Sequence, residues 1–194
     1  MKERRAIAET QDDGALMRHV ATGDVHALGA VAERYTPMLF AVAWRMLADA
    51  AEAEDVVQET IMRAWVNAAN WTPVGGGLGA WLRRIATNLC LDRKRRRAFI
   101  SDEAVPERAD ESPSADALID VERRRQAVAT AMQALPERQR AAIVLTYYEG
   151  VSNADAAATL GLGVKALESL LVRARQGLSR NLMAQGLLQE GSAA

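Results

Sequence analysis

Apolar residues along this chain recur at intervals of three and four positions, and no segment alternates cleanly between apolar and polar residues. This is the period of helices that bury one side, so the pattern predicts an all-α protein. Glycine- and proline-rich stretches and one acidic stretch interrupt the helical segments. We therefore expect two small helical domains, an N-terminal bundle over 10–97 and a C-terminal helix-turn-helix domain over 119–186, joined by a flexible acidic linker over 98–118.

Four helices are expected in the first domain. A short one begins at the capping residues Asp12 and Asp13, and a longer one capped by Asp24 has a kink or short break at Pro37. A third spans roughly 51–68. The fourth has one apolar stripe at helical spacing, formed by Leu78, Trp81, Leu82, Ile85 and Leu89.

The opposite side of the fourth helix is polar and basic. It carries Arg83, Arg84, Thr87 and Asn88, and the segment ends in the uninterrupted basic run 93–97. Because the whole chain has a net charge of only −1, this is a local segregation of charge. An amphipathic helix with a cationic end suits a polyanion such as nucleic acid. The alternative is a solvated helix end whose cations complement the helix dipole.

The third helix has two organised sides. One is an apolar stripe that should be buried. The other is a polar and acidic stripe at the same spacing that ends in a methionine: Asp55, Gln58, Glu59 and Met62. Such a surface suits docking onto a partner with a basic groove or helix, although plain solvation explains it as well.

Between the third and fourth helices lies a loop, 70–77, that contains Pro73 and three consecutive glycines. No strand precedes these glycines and no Gly-Lys-Ser/Thr follows them, so they do not form a nucleotide-binding loop. A loop of this freedom beside a basic helix could hold one unstacked base, as recognition of single strands requires. An ordinary interhelical loop is the alternative.

The second domain carries a helix-turn-helix pattern. Ser152 and Asp155 resemble a capping box, the glycine turn 161–163 follows an alanine-rich segment, and a last helix begins at Val164. The preceding helix is expected to bury Ile143, Val144, Tyr147 and Tyr148. The last helix should bury Leu167, Leu171, Ala174 and Leu178. Its outer side then mixes charged, hydroxyl and small apolar groups suited to a DNA major groove, rather than merely a solvated hairpin: Lys165, Glu168, Ser169, Val172, Arg173 and Gln176.

Composition excludes several other classes. No apolar run reaches the length of a membrane span, and the first residues lack the apolar core of a signal peptide, so a cytoplasmic protein without membrane insertion is expected. The single cysteine, Cys90, has no partner for a disulfide or zinc site and should be a buried helix residue. His19 and His26 lie near no nucleophile pattern, so neither an enzyme nor a cofactor or metal site is expected.

Four segments together resemble one family, the extracytoplasmic-function (ECF) sigma factors of bacteria. They are AEDVVQETIMRAW at 53–65, GAWLRRIATNLCLDRKRRR at 79–97, LPERQRAAIVLTYYEGVSNADAAATLGL at 135–162 and VKALESLLVRARQGL at 164–178. Several independent motifs occur in one order over nearly the whole chain. Members of this family are non-catalytic subunits of RNA polymerase that have two helical domains joined by a linker.

The resemblance implies a role for each candidate residue. The stripe Asp55, Gln58, Glu59 and Met62 would dock on the clamp helices of the largest polymerase subunit. Promoter DNA at the minus-ten element would meet Asn70, Trp71, Thr72, Arg84, Thr87, Asn88, Arg93, Lys94, Arg95, Arg96 and Arg97. The minus-thirty-five element would meet Ser152, Lys165, Ala166, Glu168, Ser169, Val172 and Arg173. The polymerase flap and an anti-sigma factor are further implied partners.

Two positions on the last helix depart from the family pattern. Many members carry a basic residue and a histidine where this chain has Glu168 and Val172. Glu168 could accept a hydrogen bond from a cytosine amino group or simply face solvent. A stand-alone helix-turn-helix regulator, whose first domain senses a ligand or dimerises, is the alternative function.

Overall fold

The structure, a computed structural model, describes residues 12–72, 76–100 and 116–187, without the side chains at 94, 96–100 and 116–123. These residues form helices, as expected, and contain no strand. The α-helices are α1 Asp13–Ala21, α2 Val25–Leu47, α3 Ala50–Val66, α4 Gly77–Ile100, α5 Asp116–Gln133, α6 Glu137–Ile143, α7 Asn153–Leu160 and α8 Val164–Ala184. A 3₁₀ turn, Ala68–Asn70, follows α3, and a wide π-type turn, Val144–Tyr148, follows α6.

Helix α2 is the long element against which the first domain packs. The Asp24 carboxylate accepts hydrogen bonds from the N–H groups of His26 and Ala27, at 2.8 and 3.2 Å, as its capping role predicts. Of the kink or short break expected at Pro37, the break does not occur, since the helix is continuous from Val25 to Leu47. Pro37 is exposed, so water can compensate the backbone hydrogen bond that proline removes.

A polar cluster fastens α1 to α2. Asp12 lies at the start of α1, but its side chain makes no capping hydrogen bond. The Asp13 carboxylate instead accepts hydrogen bonds from Arg34 at 2.7 Å and from the Tyr35 hydroxyl at 2.6 Å. Burial, together with the hydrogen bond to Asp13, raises the pKa of Tyr35 to about 12.

The apolar stripe predicted for α3, which is buried only in part, consists of Ala53, Val56, Val57, Ile61, Ala64 and Trp65. Ala53, Val56, Val57 and Ala64 are buried, whereas Ile61 and Trp65 are only half-buried. Thr60, one position before Ile61, is buried instead, and its hydroxyl donates to the carbonyl of Val56 at 2.7 Å. A short polar side chain is tolerated at this buried position because its hydroxyl forms a hydrogen bond within its own helix.

The π-type turn corrects the predicted core of the second domain. Ile143 and Val144 are buried as expected, but Tyr147 and Tyr148 are 58 % and 45 % exposed. The N–H of Glu149 bonds to the carbonyl of Val144, five residues back, so each residue advances less than in an α-helix. This change of period places Leu145 in the core and rotates both tyrosines outward.

The helix-turn-helix forms as predicted. The Ser152 hydroxyl accepts from the N–H of Asp155 at 3.1 Å and donates to its carboxylate at 2.7 Å. Gly161 ends α7 with a φ of 63°, which favours glycine. Leu167, Leu171 and Ala174 of α8 are then buried, and Leu178 packs against the core.

Both ends of the predicted linker are helical: α4 continues to Ile100 and α5 begins at Asp116, so only 101–115 lies outside the described residues. The two helical halves are in contact, because α2 and α4 of the first lie against α6 of the second. Their buried apolar residues form one continuous cluster. Within the described ranges, no helix is both long enough and apolar enough to cross a bilayer.

Candidate nucleic-acid and polymerase interfaces

The acidic stripe of α3 lies on the protein surface. Asp55 and Gln58 are exposed, and Met62 is exposed over 56 % of its surface. Glu59 is partly covered and accepts a hydrogen bond from Arg63, one turn later, at 2.8 Å. An exposed methionine among carboxylates can bury apolar area while the carboxylates pair with cations, which suits a basic protein surface.

Arg93 joins this stripe to the basic end of α4. Its guanidinium lies 2.8 Å from a Glu52 carboxylate oxygen and 3.5 Å from one of Asp55. Partial burial alone would lower the pKa of Arg93, but the hydrogen bond to Glu52 and the neighbouring carboxylate charges outweigh it and raise the pKa. In this structure Arg93 therefore holds α4 against α3.

The remaining candidates on α4 divide into three groups. Arg84, Asn88 and Arg95 are exposed, and Arg95 is paired with Asp92 at 2.7 Å. Thr87, expected on the exposed side, is 1 % exposed, so that placement is wrong. The side chains of Lys94, Arg96 and Arg97 lie outside the described residues.

The loop before α4 is described at both ends, while 73–75 lies outside the described residues. Asn70 and Thr72 are exposed. Trp71 packs against the core, and its buried indole N–H has no hydrogen-bond partner among the described residues. Gly76 has a φ of 87°, so its backbone adopts a conformation that other residues rarely take.

The outer side of α8 is exposed at every predicted position. These positions are Lys165, Ala166, Glu168, Ser169, Val172, Arg173 and Gln176, and Ser152 at the start of α7 is exposed as well. The Ser169 hydroxyl donates to the carbonyl of Lys165 at 3.0 Å, and the Arg173 guanidinium donates to the carbonyl of Ser169 at 3.3 Å. These local bonds orient the two side chains along one face of the helix.

Both halves of the chain match known sequence families. Residues 31–100 match the sigma-70 region 2 family, and residues 125–178 match the sigma-70 region 4 family. The ECF RNA polymerase sigma factor SigK of a Mycobacterium species is 30 % identical over 184 residues, which cover 89 % of this chain and 92 % of that protein. The chain belongs to the ECF sigma factors. The resemblance noted from the sequence is thereby confirmed, and a stand-alone regulator is not favoured.

Two further relatives extend this result. The ECF sigma factor SigE of Mycolicibacterium smegmatis is 35 % identical over 165 residues, which cover 81 % of this sigma factor but 63 % of SigE. A solved structure, described as CnrH in complex with the cytosolic domain of CnrY, is also similar. Its CnrH chain is 33 % identical, with a TM-score of 0.63 over 89 % of this chain and 97 % of that one.

Sequence reasoning missed the polar residues that join the two halves of this sigma factor. The buried Arg140 guanidinium donates to the main-chain carbonyls of Met132, Gln133 and Leu135, and also to the carbonyl of Met46 on α2. Burial lowers the pKa of Arg140. The only signal in the sequence was a cation one position before the apolar run of α6, which by itself predicts an exposed residue.

Glu149 is the second connecting residue. Its side chain is 10 % exposed and lies 3.4 Å from the Arg45 guanidinium and 3.8 Å from that of Arg83. The Gln133 amide also donates to the carbonyl of Arg45 at 3.3 Å. No cluster of metal-ligating side chains occurs within 12–72, 76–100 and 116–187.

Proposed function

We propose that this sigma factor directs core RNA polymerase to promoters that carry minus-thirty-five and minus-ten elements and helps to melt them. The first domain, 10–97, would dock on polymerase and open the minus-ten element, and the second, 119–186, would read the minus-thirty-five element. In this proposed role no side chain would need to take part in covalent chemistry, so the factor itself would not act as an enzyme. It would act in the cytoplasm, where bacterial transcription occurs.

Docking would use the α3 stripe. Carboxylates of Asp55 and Glu59 would pair with cations of the clamp helices in the largest polymerase subunit, while Met62 would bury apolar area. The exposure of Asp55 and Met62 supports this role. Arg93 neutralises part of the Asp55 charge in the free protein, so docking would compete with that contact.

Melting would use the loop before α4 together with the polar side of α4. Removing a base from the stack costs a few kilocalories per mole. Binding of the unstacked base near Asn70 and Thr72, with Arg84 and Asn88 on the adjoining strand, would offset that cost and shift the duplex toward the open form. Polymerase docking raises the effective concentration of these residues at the promoter.

The α8 face would read the minus-thirty-five element in the major groove. Lys165 and Arg173 would contact phosphates, while Ser169 and Glu168 would meet base edges. Glu168 can accept from a cytosine amino group, so we propose that this factor selects a cytosine there. The proposal is supported by the exposure of all four side chains.

An anti-sigma factor is a further proposed partner. The similar CnrH chain, 97 % of which is covered by the match, was solved in complex with the cytosolic domain of CnrY. A comparable cytosolic peptide could bind the docking and promoter surfaces and keep the factor from polymerase. The polymerase flap, by analogy within the family, would contact the second domain.

The single observation that carries the proposed function is the presence of both sigma-70 regions on a fold that exposes the α3 stripe and the outer side of α8. The test is run-off transcription with purified core polymerase and a library of double-stranded upstream sequences. We expect the wild-type protein to start RNA synthesis at templates that share two elements at one spacing. No initiation on any double-stranded template would refute the proposal.

The docking role of the α3 stripe is tested separately, with a double charge reversal. Reversing both charges in Asp55→Lys/Glu59→Lys should abolish co-elution with core polymerase, because repulsion replaces attraction at the basic surface. Glu33→Lys, an exposed reversal on α2, is the control and should co-elute normally. Circular dichroism should show that all three proteins keep their helices. Wild-type co-elution of the double variant would remove the α3 stripe as the docking surface.

A further inference from the structure

A cavity lies where the end of α2, helix α5 and the π-type turn meet. Its volume is about 420 Å³, and small-molecule sites in proteins typically measure about 300–1,000 Å³. The walls are predominantly apolar and include Trp44, Val128, Met132 and Tyr148. None of the described residues that line it belongs to the α3 stripe, to the candidate positions of α4 or to the outer side of α8. The proposed function therefore gives this cavity no role.

Two aromatic side chains of the walls are fixed in position and yet remain accessible. Trp44 and Tyr148 are each 45 % exposed. Trp44 stacks on Phe40, one turn earlier, with the ring centroids 6.4 Å apart and the planes inclined by 12°. The Arg45 guanidinium lies over the Tyr148 ring, 4.8 Å from its centroid. Rings that their neighbours already orient can receive a flat ligand with little further loss of conformational entropy.

The π-type turn, Val144–Tyr148, is the element that presents Tyr148 to the cavity. The helical period of the sequence predicts Tyr148 in the core, but the turn rotates it to the surface, where it lines the cavity. Turns of this type are rare and occur frequently at functional sites. No contact proposed for polymerase or promoter DNA uses Tyr148. The turn is therefore a second and independent indication of a ligand at this position.

The charge around the cavity favours an anion. Three of the described residues that line it are arginines, Arg45, Arg124 and Arg125, and none of them is acidic. Arg124 and Arg125 are exposed. Arg45 shares the Glu149 carboxylate with Arg83, so two cations there face one anion. Guanidinium groups bind carboxylates and phosphates through paired, charge-assisted hydrogen bonds.

The scarcity of neutral polar groups separates these two kinds of anion. Apart from the arginines and the two aromatic residues, Gln133 is the one polar residue in the described lining. Its amide is already engaged, since it donates to the carbonyl of Arg45 at 3.3 Å and accepts from Arg140 at 2.6 Å. The base of a nucleotide would bury its polar edges against such walls without partners, which is costly. An apolar ring system has no such edges.

We propose that this cavity is a binding site for an apolar aromatic carboxylate. The ring of the ligand packs against Trp44 and Tyr148, and its carboxylate pairs with Arg124 and Arg125. The inference does not depend on the proposed function, because the site shares no described residue with the polymerase and promoter surfaces. It adds a small-molecule ligand to the macromolecular partners proposed above.

The first test is isothermal titration calorimetry of the full-length protein with three probes. Cinnamate, a flat aromatic carboxylate, should bind saturably. Cinnamyl alcohol, which has the same ring and no charge, should bind about tenfold more weakly, since it lacks the charge-assisted hydrogen bonds. Adenosine monophosphate should also bind more weakly than cinnamate. No saturable binding of cinnamate at millimolar concentration, equal affinity for the alcohol, or tighter binding of the nucleotide would each overturn the proposal.

The second test removes the charge of the site. Arg124→Gln/Arg125→Gln should bind cinnamate about tenfold more weakly than the wild type and should no longer distinguish it from cinnamyl alcohol. Arg175→Gln/Arg180→Gln changes the net charge equally at exposed positions of α8 and should bind both probes like the wild type. Wild-type affinity for cinnamate in a folded Arg124→Gln/Arg125→Gln protein would refute the role of these arginines.

The third test fills the cavity. Ala129 lines it and is exposed, so Ala129→Phe adds a ring within the site at a position that tolerates a larger side chain. Binding of cinnamate and of cinnamyl alcohol should both be lost. Ala158→Phe, at an exposed position of α7 outside the cavity, is the matched control and should bind normally. Circular dichroism checks that both proteins are folded. Undiminished binding by folded Ala129→Phe would show that the ligand binds elsewhere.

Discussion

At the residue scale, the contact between Tyr35 and Asp13 makes the stability of the protein depend on pH. Its hydroxyl donates to Asp13 across the α1–α2 contact, and its pKa is raised from 10.0 to about 12. Between these values the unfolded chain loses the phenolic proton before the folded protein does. The free energy of unfolding should therefore fall as pH rises from about 10 to about 12, with the contribution fully present below pH 10.

This is tested with Tyr35→Phe, which has no proton to lose. The variant should be less stable near neutral pH because the hydrogen bond to Asp13 is gone. Its unfolding free energy, measured by urea denaturation from pH 9 upward, should decline less steeply than that of the wild type. Tyr147→Phe, at an exposed site, should retain the wild-type slope. Parallel declines for wild type and Tyr35→Phe would contradict the assignment.

At the element scale, helices α4 and α8 are proposed to act at different steps. Asn88→Ala should slow open-complex formation about tenfold, as expected when one contact of about 1–3 kcal/mol to a base is lost. Permanganate reactivity of unpaired thymines measures this step, and co-elution measures polymerase assembly, which should be unchanged. Thr36→Ala, an exposed α2 position, is the control. Equal loss of melting and assembly would contradict the role assigned to Asn88.

The role of α8 is tested with Arg173→Ala, by measuring how tightly holoenzyme binds promoter DNA. Removal of a proposed phosphate contact should weaken binding of holoenzyme to all promoter sequences alike and reduce the salt dependence of binding. Glu168→Gln should instead change the preferred base at one position of the minus-thirty-five element. A sequence-selective effect of Arg173→Ala would show that the residue reads bases.

The helices themselves were predictable because each depends on local signals. Asp24, Ser152 and Gly161 mark helix ends by capping and by backbone freedom, and all three act as their residue types predict. The errors occur where tertiary structure or an unusual turn overrides the helical period. Thr87 is buried within a helix side that reads as polar, and the π-type turn moves Tyr147 and Tyr148 to the surface. Neither effect has a signature in residue spacing.

At the scale of the whole molecule, two exposed surfaces could be predicted from the sequence, whereas the contact between the domains could not. The acidic stripe of α3 and the outer side of α8 were suggested by their polar composition, and both are exposed. The contact between the domains was not suggested, since Arg140 and Glu149 each resemble ordinary surface charges in the sequence. Their roles depend on carbonyls and cations that lie far away along the chain.

Among the residues at the contact between the two domains, Arg140 is the side chain on which we expect the packing to depend most. It is 3 % exposed, and it satisfies three carbonyls where α5 meets α6 as well as one at the end of α2. Arg140→Met keeps the apolar stem but leaves those carbonyls without their donor. We expect the free energy of unfolding in urea to fall by about 3 kcal/mol, the lower end for removing one partner of a buried charged interaction.

Arg180→Met, at an exposed position of α8, is the matched control and should change the stability by about 0.5 kcal/mol or less. Arg140→Lys should lie between wild type and Arg140→Met, since an ammonium group cannot match the planar spread of guanidinium donors. The order wild type, Lys, Met therefore separates the hydrogen bonds from the charge alone. Wild-type stability of Arg140→Met would mean that water replaces the guanidinium at these carbonyls, and the domain contact would then need no buried cation.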